Sequence, residues 1–346
     1  MCMKKRISAV SAVIALGLFL LLLSLRQNNS VQENAVTATG YKLNTYVTVT
    51  IYDSDNEALA DECLALCDKY ELIFSRTNPE SELYLLNHGL LPRSEDGYYT
   101  VSEDLYHAIE IGKKYSDLSD NAFSIALEPL TSLWNFTDGT DSIPAKSKLD
   151  SALPLVNSED VLLRAPNQIA FLKHGMGIDL GAIAKGYIAD RLKEYLLSQN
   201  VNSALIYLGG NVLCIGQKGN APFRIGIEKP FDVNGEAAAI LNIADTSVVT
   251  SGTYQRCFEK DGVLYHHILD SRTGYPYQNG LSAVTIITDS STDADALSTT
   301  CFSLGLEDGL KLLESLENAD GFFITEDGEY YYTEGFLKKY DVERIP

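Results

Sequence analysis

The strongest constraint on the fold is the rhythm of the second half of the chain. Short β-rich runs recur near Ile169 to Leu172, Ala204 to Leu208, Phe223 to Ile227, Ala238 to Ile243, Tyr265 to Leu269 and Ala283 to Thr288. Only two strong helical segments interrupt them, Gly181 to Ser198 and Asp293 to Leu304. Many of the strands are separated by short turns, which predicts an α+β fold with largely antiparallel sheets and packed helices, not a doubly wound one. The first half is mixed. Thr45, Val47, Val49 and Ile51 alternate with Tyr46, Thr48, Thr50 and Tyr52, a period-2 strand, and Leu59, Cys63, Leu66, Cys67, Tyr70 and Ile73 fall at helical spacing within Asn56 to Phe74. Ser81 is placed to cap a short helix, Ser102 opens another running to Tyr115, and Asn135 to Pro144 is a turn-rich excursion.

With 346 residues, 45% of them hydrophobic, the chain has material for a sizeable core. The net charge is −20, from 27 Lys and Arg against 47 Asp and Glu. That balance argues against nucleic acid and against docking on anionic lipid, since both need a surplus of basic side chains. An anionic ligand would have to be met by local positive charge: a helix N-terminus, a placed Lys or Arg, or a metal ion. At the N-terminus Lys4, Lys5 and Arg6 precede an uncharged apolar run from Ile7 to Leu25. Its roughly 19 residues would span about 28 Å as a helix. The expectation is a signal anchor or signal peptide over 1–26, a tether over 27–40 and one domain over 41–346, held at the cell membrane with its body on the extracytoplasmic side. No Cys directly follows the apolar run to give a lipoprotein attachment site, and the scattered Cys63, Cys67, Cys214, Cys257 and Cys301 do not make a disulfide framework. Cys63 and Cys67, at i,i+4, read as buried thiols in preference to a metal half-site.

Three constellations carry chemistry. Gly177-Ile178-Asp179-Leu180-Gly181-Ala182-Ile183-Ala184-Lys185-Gly186 runs from a short strand into a helix through small residues, so backbone can approach a ligand and free N–H groups can meet an anion, with Lys185 as a mobile cation. It is neither a Walker A loop nor a dinucleotide fingerprint. In Asp293-Ala294-Asp295-Ala296-Leu297-Ser298-Thr299, Asp295 and Thr299 share one helix face as hard oxygen donors suited to Mg²⁺, while Asp293 reads most simply as an N-cap. Adjacent His266 and His267 in a strand would face opposite sides, so only one can serve as a base; Asp270 to Gly274 then turns. Gly209-Gly210-Asn211 and Thr250-Ser251-Gly252 are further small-residue corners, and His88, His107 and His174 read as structural.

In this order, these segments resemble the ApbE family of FAD:protein FMN transferases. The resemblance is carried by Phe74-Ser75-Arg76 to Asn87, Pro129-Leu130 with Leu133-Trp134, Asp179 to Asp190, Leu208-Gly209-Gly210, Thr250-Ser251-Gly252 with Tyr254, His267 to Gly274, and Asp293 to Thr299. It implies an active site between two subdomains and a Mg²⁺-dependent enzyme that cleaves FAD, joins FMN through a phosphoester to a Thr or Ser of an exported or membrane electron-transfer protein, and releases AMP. It further implies metal ligation by the Asp295 carboxylate, the Thr299 hydroxyl and the Ala182 carbonyl. Asp179, Lys185 and the Ala122-Phe123-Ser124 stretch would contact FAD, and His267 would lie beside the reacting phosphate as base, with Asp295 as its competitor. Two departures stand out: Leu43-Asn44-Thr45 replaces the usual Met-Gly-Thr, and Phe123-Ser124 the usual Phe-Asp. An FAD pyrophosphatase and a non-catalytic surface flavin-binding protein are the alternatives.

Overall fold

The computed structural model describes residues 35–136, 140–232 and 234–344. Its strands are β1 (Val36–Lys42), β2 (Thr45–Ile51), β3 (Tyr99–Thr100), β4 (Val161–Arg164), β5 (Gln168–Phe171), β6 (Ala204–Leu208), β7 (Asn211–Ile215), β8 (Phe223–Glu228), β9 (Ala237–Ile243), β10 (Ser247–Gly252), β11 (Cys257–Lys260), β12 (Val263–His266), β13 (Leu281–Thr288), β14 (Ala319–Thr325), β15 (Tyr330–Tyr332) and β16 (Asp341–Arg344). Eight of them form the central sheet, in the order β1-β2-β6-β7-β10-β13-β14-β15, with every neighbouring pair antiparallel. The α+β reading with antiparallel sheets holds.

Alternation along the strands gives the central sheet two apolar faces. Ala204, Ile206 and Leu208 of β6, Val249 of β10, and Val284 and Ile286 of β13 join one core with the helices Glu57–Phe74, Ala184–Ser198 and Ser291–Leu304. Tyr207, Val248, Ala283 and Ile287, one residue out of phase, join a second core beneath the small sheet β16-β9-β8. A third, smaller core gathers Leu130, Trp134, Leu149 and Phe258 near the hairpin β11–β12. β13 is buried along its whole length, as a strand covered on both faces must be. Between β6 and β7 the two-residue turn Gly209-Gly210 has φ of 53° and 90°, the left-handed geometry that tight hairpins need.

The expected elements recur with shifted edges. Asn56, Ser81 and Ser102 each cap the helix predicted to follow. The 27–40 tether gives way at Val36, where β1 begins by pairing with β2; little in its polar sequence announces a strand, and the partner supplies the order. The Gly181 helix starts only at Ala184, after a turn. The helix carrying Asp295 starts at Ser291 with Ser290 as its N-cap, so Asp293 is not the cap; its carboxylate accepts a hydrogen bond from Tyr115 instead. Finally, β12 stops at His266, so His267 lies just beyond the strand. The anchor reading over 1–26 falls outside the described residues, among which no helix is long and apolar enough to cross a membrane.

Candidate active site

The site is built on the seam between the Ala184–Ser198 and Ser291–Leu304 helices. The first of these has no side-chain cap of its own at Ile183. Its Gly186 N–H, which in a regular helix would close onto the carbonyl of Ala182, donates instead to Asp295 Oδ2 at 2.9 Å. Asp295 thus caps the neighbouring helix from across the seam, and the Ala182 carbonyl is left without its helical donor. Only glycine permits this approach: a Cβ at Gly186 would lie 2.2 Å from the Ser291 carbonyl oxygen. Asp295 is 2% exposed. Its second oxygen, Oδ1, faces Lys185 Nζ at 3.5 Å.

Asp190, one turn further along, ties the same two helices. It accepts from the Ser291 and Thr292 N–H groups at 3.0 and 2.9 Å and from the Thr292 hydroxyl at 2.6 Å, placing negative charge where the helix dipole favours it. One turn beyond Asp295, the Thr299 hydroxyl meets Ser251 of β10 at 3.0 Å. The spacing of Asp295 and Thr299, legible as a shared face, is therefore completed by a strand from the central sheet.

Asp179 sits on the segment that leads into the seam. Asn87 clamps this segment through both its amide atoms, donating to the Ile178 carbonyl and accepting from the Ile178 N–H, each at 2.8 Å. Arg76 Nε pairs with Asp179 Oδ2 at 3.1 Å, and Asp179 Oδ1 accepts from Gly181 N–H at 2.8 Å. Nearby, burial raises the Glu128 carboxyl above its ordinary pKa, with Arg76 opposing. The Ala122-Phe123-Ser124 stretch lies alongside, because Asp179 N–H donates to the Ile125 carbonyl at 2.8 Å. Its polar groups serve the fold: the Ser124 hydroxyl donates to Val156 and the Ala122 carbonyl accepts from Tyr277.

The two histidines separate as expected of neighbours in extended chain. His266 turns inward, its Nε2 2.8 Å from the Tyr277 carbonyl and its ring edge-on to Phe302. His267 points elsewhere, with Nδ1 buried and without a hydrogen-bond partner. Burial, then the positive charge of Arg256 and His266, with a smaller part from Lys185, lowers its pKa to about 3, so the ring is neutral near pH 7. Thus Lys185 and Asp295 meet at the start of the Ala184–Ser198 helix beside the Ala182 carbonyl, and Thr299 lies one turn beyond Asp295 against Ser251. Asp179 lies just upstream, and His267 lies within electrostatic reach of Lys185.

Cys63 and Cys67 are fully buried in the core, and burial pushes both thiols up to about 12, which removes the half-site reading. Among the described residues no three His, Cys, Asp or Glu side chains converge on one point. The donors at the seam are a carboxylate, a hydroxyl and a carbonyl, the hard oxygen set that suits Mg²⁺ better than a softer ion.

A family model described as ApbE family matches residues 43–323. The chain belongs to the ApbE family. Among the similar curated proteins is an FAD:protein FMN transferase of Klebsiella pneumoniae, 40% identical over 79% of this chain and 84% of its own length. Another, of the same name from Treponema pallidum, is 34% identical over 82% and 81%. The fold matches the ApbE protein of Thermotoga maritima with a TM-score of 0.79 at 31% identity, covering 88% of this chain and 98% of that one. It also matches the flavin transferase ApbE of Vibrio cholerae, with a TM-score of 0.77 at 26% identity over 88% and 98%.

Several ApbE residues that shape the site escaped a role in the sequence. Asn87, Arg76 and Asp190 fall inside the stretches that carry the resemblance, but their partners lie far off in the chain: Asn87 and Ile178 are 91 residues apart, Asp190 and Ser291 101. Only a pairing signal between distant positions would have exposed them.

Proposed function

We propose that this chain transfers FMN from FAD to a Thr or Ser hydroxyl of an exported or membrane protein, releasing AMP, and that it does so with Mg²⁺ at the extracytoplasmic face of the cell membrane. The observation that carries the reading is the Gly186 N–H to Asp295 bond, because it sets the Asp295 carboxylate against an open helix start beside a lysine. Residues Asp295, Thr299 and the released carbonyl of Ala182 would hold Mg²⁺, which supplies Lewis-acid polarisation of phosphoryl oxygens. Lys185 and the helix N-terminus supply the remaining positive charge that a pyrophosphate requires in a chain of net charge −20. Asp179, held by Arg76 and its own loop, would orient the nucleotide.

In the transfer itself, the acceptor oxygen bonds to the phosphorus of the FMN half while the bridge to AMP breaks, and the acceptor proton goes to a base. His267 is the favoured base: its ring is neutral and its buried Nδ1 has no hydrogen-bond partner within the protein. Asp295 is the weaker candidate, since both its oxygens are engaged by Gly186 and Lys185. The basic and apolar N-terminal run supports the membrane location, and fractionation with protease shaving of intact cells tests it.

Incubation with FAD, Mg²⁺ and an acceptor protein, followed by denaturation, tests the activity. FMN retained on the acceptor is the expected result. Free FMN alone would make the chain a pyrophosphatase, and FAD bound without AMP release would make it a carrier.

A further inference from the structure

Three hydroxyls and one carbonyl form a chain beside Thr299. Thr299 Oγ1 lies 3.0 Å from Ser251 Oγ, and Ser251 Oγ lies 2.7 Å from Ser298 Oγ. Ser298 Oγ in turn donates to the backbone carbonyl of Asp295 at 2.8 Å. A carbonyl only accepts and each hydroxyl has one proton, so the far end fixes the direction of the whole chain. Ser298 spends its proton on Asp295, Ser251 must therefore give its own to Ser298, and Thr299 must give its own to Ser251. The Thr299 oxygen is left with its lone pairs turned away from Ser251 and no proton to present to a cation.

Resting on the Mg²⁺ reading of Asp295 and Thr299, we propose that Ser251 is a positioning residue that makes Thr299 an acceptor-only metal ligand, with Ser298 setting the polarity from behind. A hydroxyl that coordinates a dication must dispose of its proton on the opposite side, and Ser251 is the group that receives it. The arrangement also explains why the Ser251 corner of β10 belongs to the site while its neighbour Thr250, facing the other way, bonds to Thr285 of β13. An outer partner of this kind typically changes metal affinity by about 10- to 100-fold.

The test is Mg²⁺ binding to the purified protein, read by titration calorimetry and by the Mg²⁺-induced rise in melting temperature, with transfer kinetics alongside. Ser251→Ala is expected to raise the Mg²⁺ dissociation constant about tenfold or more while leaving the metal-free melting curve close to wild type. Most of the lost transfer rate should return at high Mg²⁺. Ser251→Thr, which keeps a hydroxyl, should restore affinity, and Ser298→Ala should give a smaller rise. Should Ser251→Ala fail to fold, Ser298→Ala alone decides. Wild-type Mg²⁺ affinity in Ser251→Ala or, in that event, in Ser298→Ala, alongside weakened binding in Thr299→Ala, overturns the proposal and keeps the metal site. Unchanged binding in both Thr299→Ala and Asp295→Ala overturns the metal reading itself.

Discussion

At the scale of single residues, His267, the proposed base, has a charge state set by its surroundings. Burial is the leading cause of its low pKa, and the charges of Arg256, His266 and Lys185 add to it. Binding of a pyrophosphate anion counters those charges, so the His267 pKa should rise, by about one unit or more, when ADP is added. Imidazole NMR of the protein with and without ADP reads this directly; an unmoved resonance would place His267 away from the phosphates. Replacing Asp295 by Ala should have a second, different signature. It removes the cap of the Ala184–Ser198 helix together with a proposed Mg²⁺ ligand, so stability should fall by about 1–2 kcal/mol in urea denaturation and transfer should be lost.

At the scale of elements, the site depends on how closely two helices and one loop approach. Gly186→Ala would drive a methyl into the Ser291 carbonyl, and the strain should cost about 1–3 kcal/mol, with activity falling with it. Asn87→Ala leaves both backbone groups of the buried Ile178 without partners, costing about 1–3 kcal/mol. Because that loop positions Asp179, KM for FAD should rise more than kcat falls in steady-state assays; equal effects on both would disconnect the clamp from nucleotide binding. The helices, their caps and the alternating strands were legible because burial periodicity and capping are local. The beginnings of the site helices were not. The helix beginning at Ala184 is capped, through the Gly186 N–H, by a carboxylate from another helix, and Asp293 is drawn off by Tyr115, so the local pattern named the wrong first turn in each case. The pair Asp295 and Thr299, proposed as metal ligands, was visible as an i,i+4 face, whereas Ser251 had a place in the sequence without a partner.

At the scale of the whole molecule, the two histidines make the fold sensitive to acid. Burial lowers the pKa of His266 from 6.5 to about 4, with the Tyr277 carbonyl only partly opposing. The unfolded chain takes up this proton near pH 6.5 and the folded one does not until about pH 4. Stability from this residue is therefore full above pH 6.5 and falls as the pH drops toward 4, by on the order of 3 kcal/mol. Chemical denaturation at a series of pH values should show this slope, reduced in His266→Gln relative to wild type; equal slopes would mean other groups govern acid unfolding.

The crosswise cap of one helix by the side chain of another has a last consequence. Since the same carboxylate closes a structural joint and is the proposed metal ligand, its place beside Lys185 and the helix start is set when the chain folds. On gradual warming, residual turnover and circular dichroism should therefore decline along one curve, with no temperature interval in which an intact fold has already gone silent.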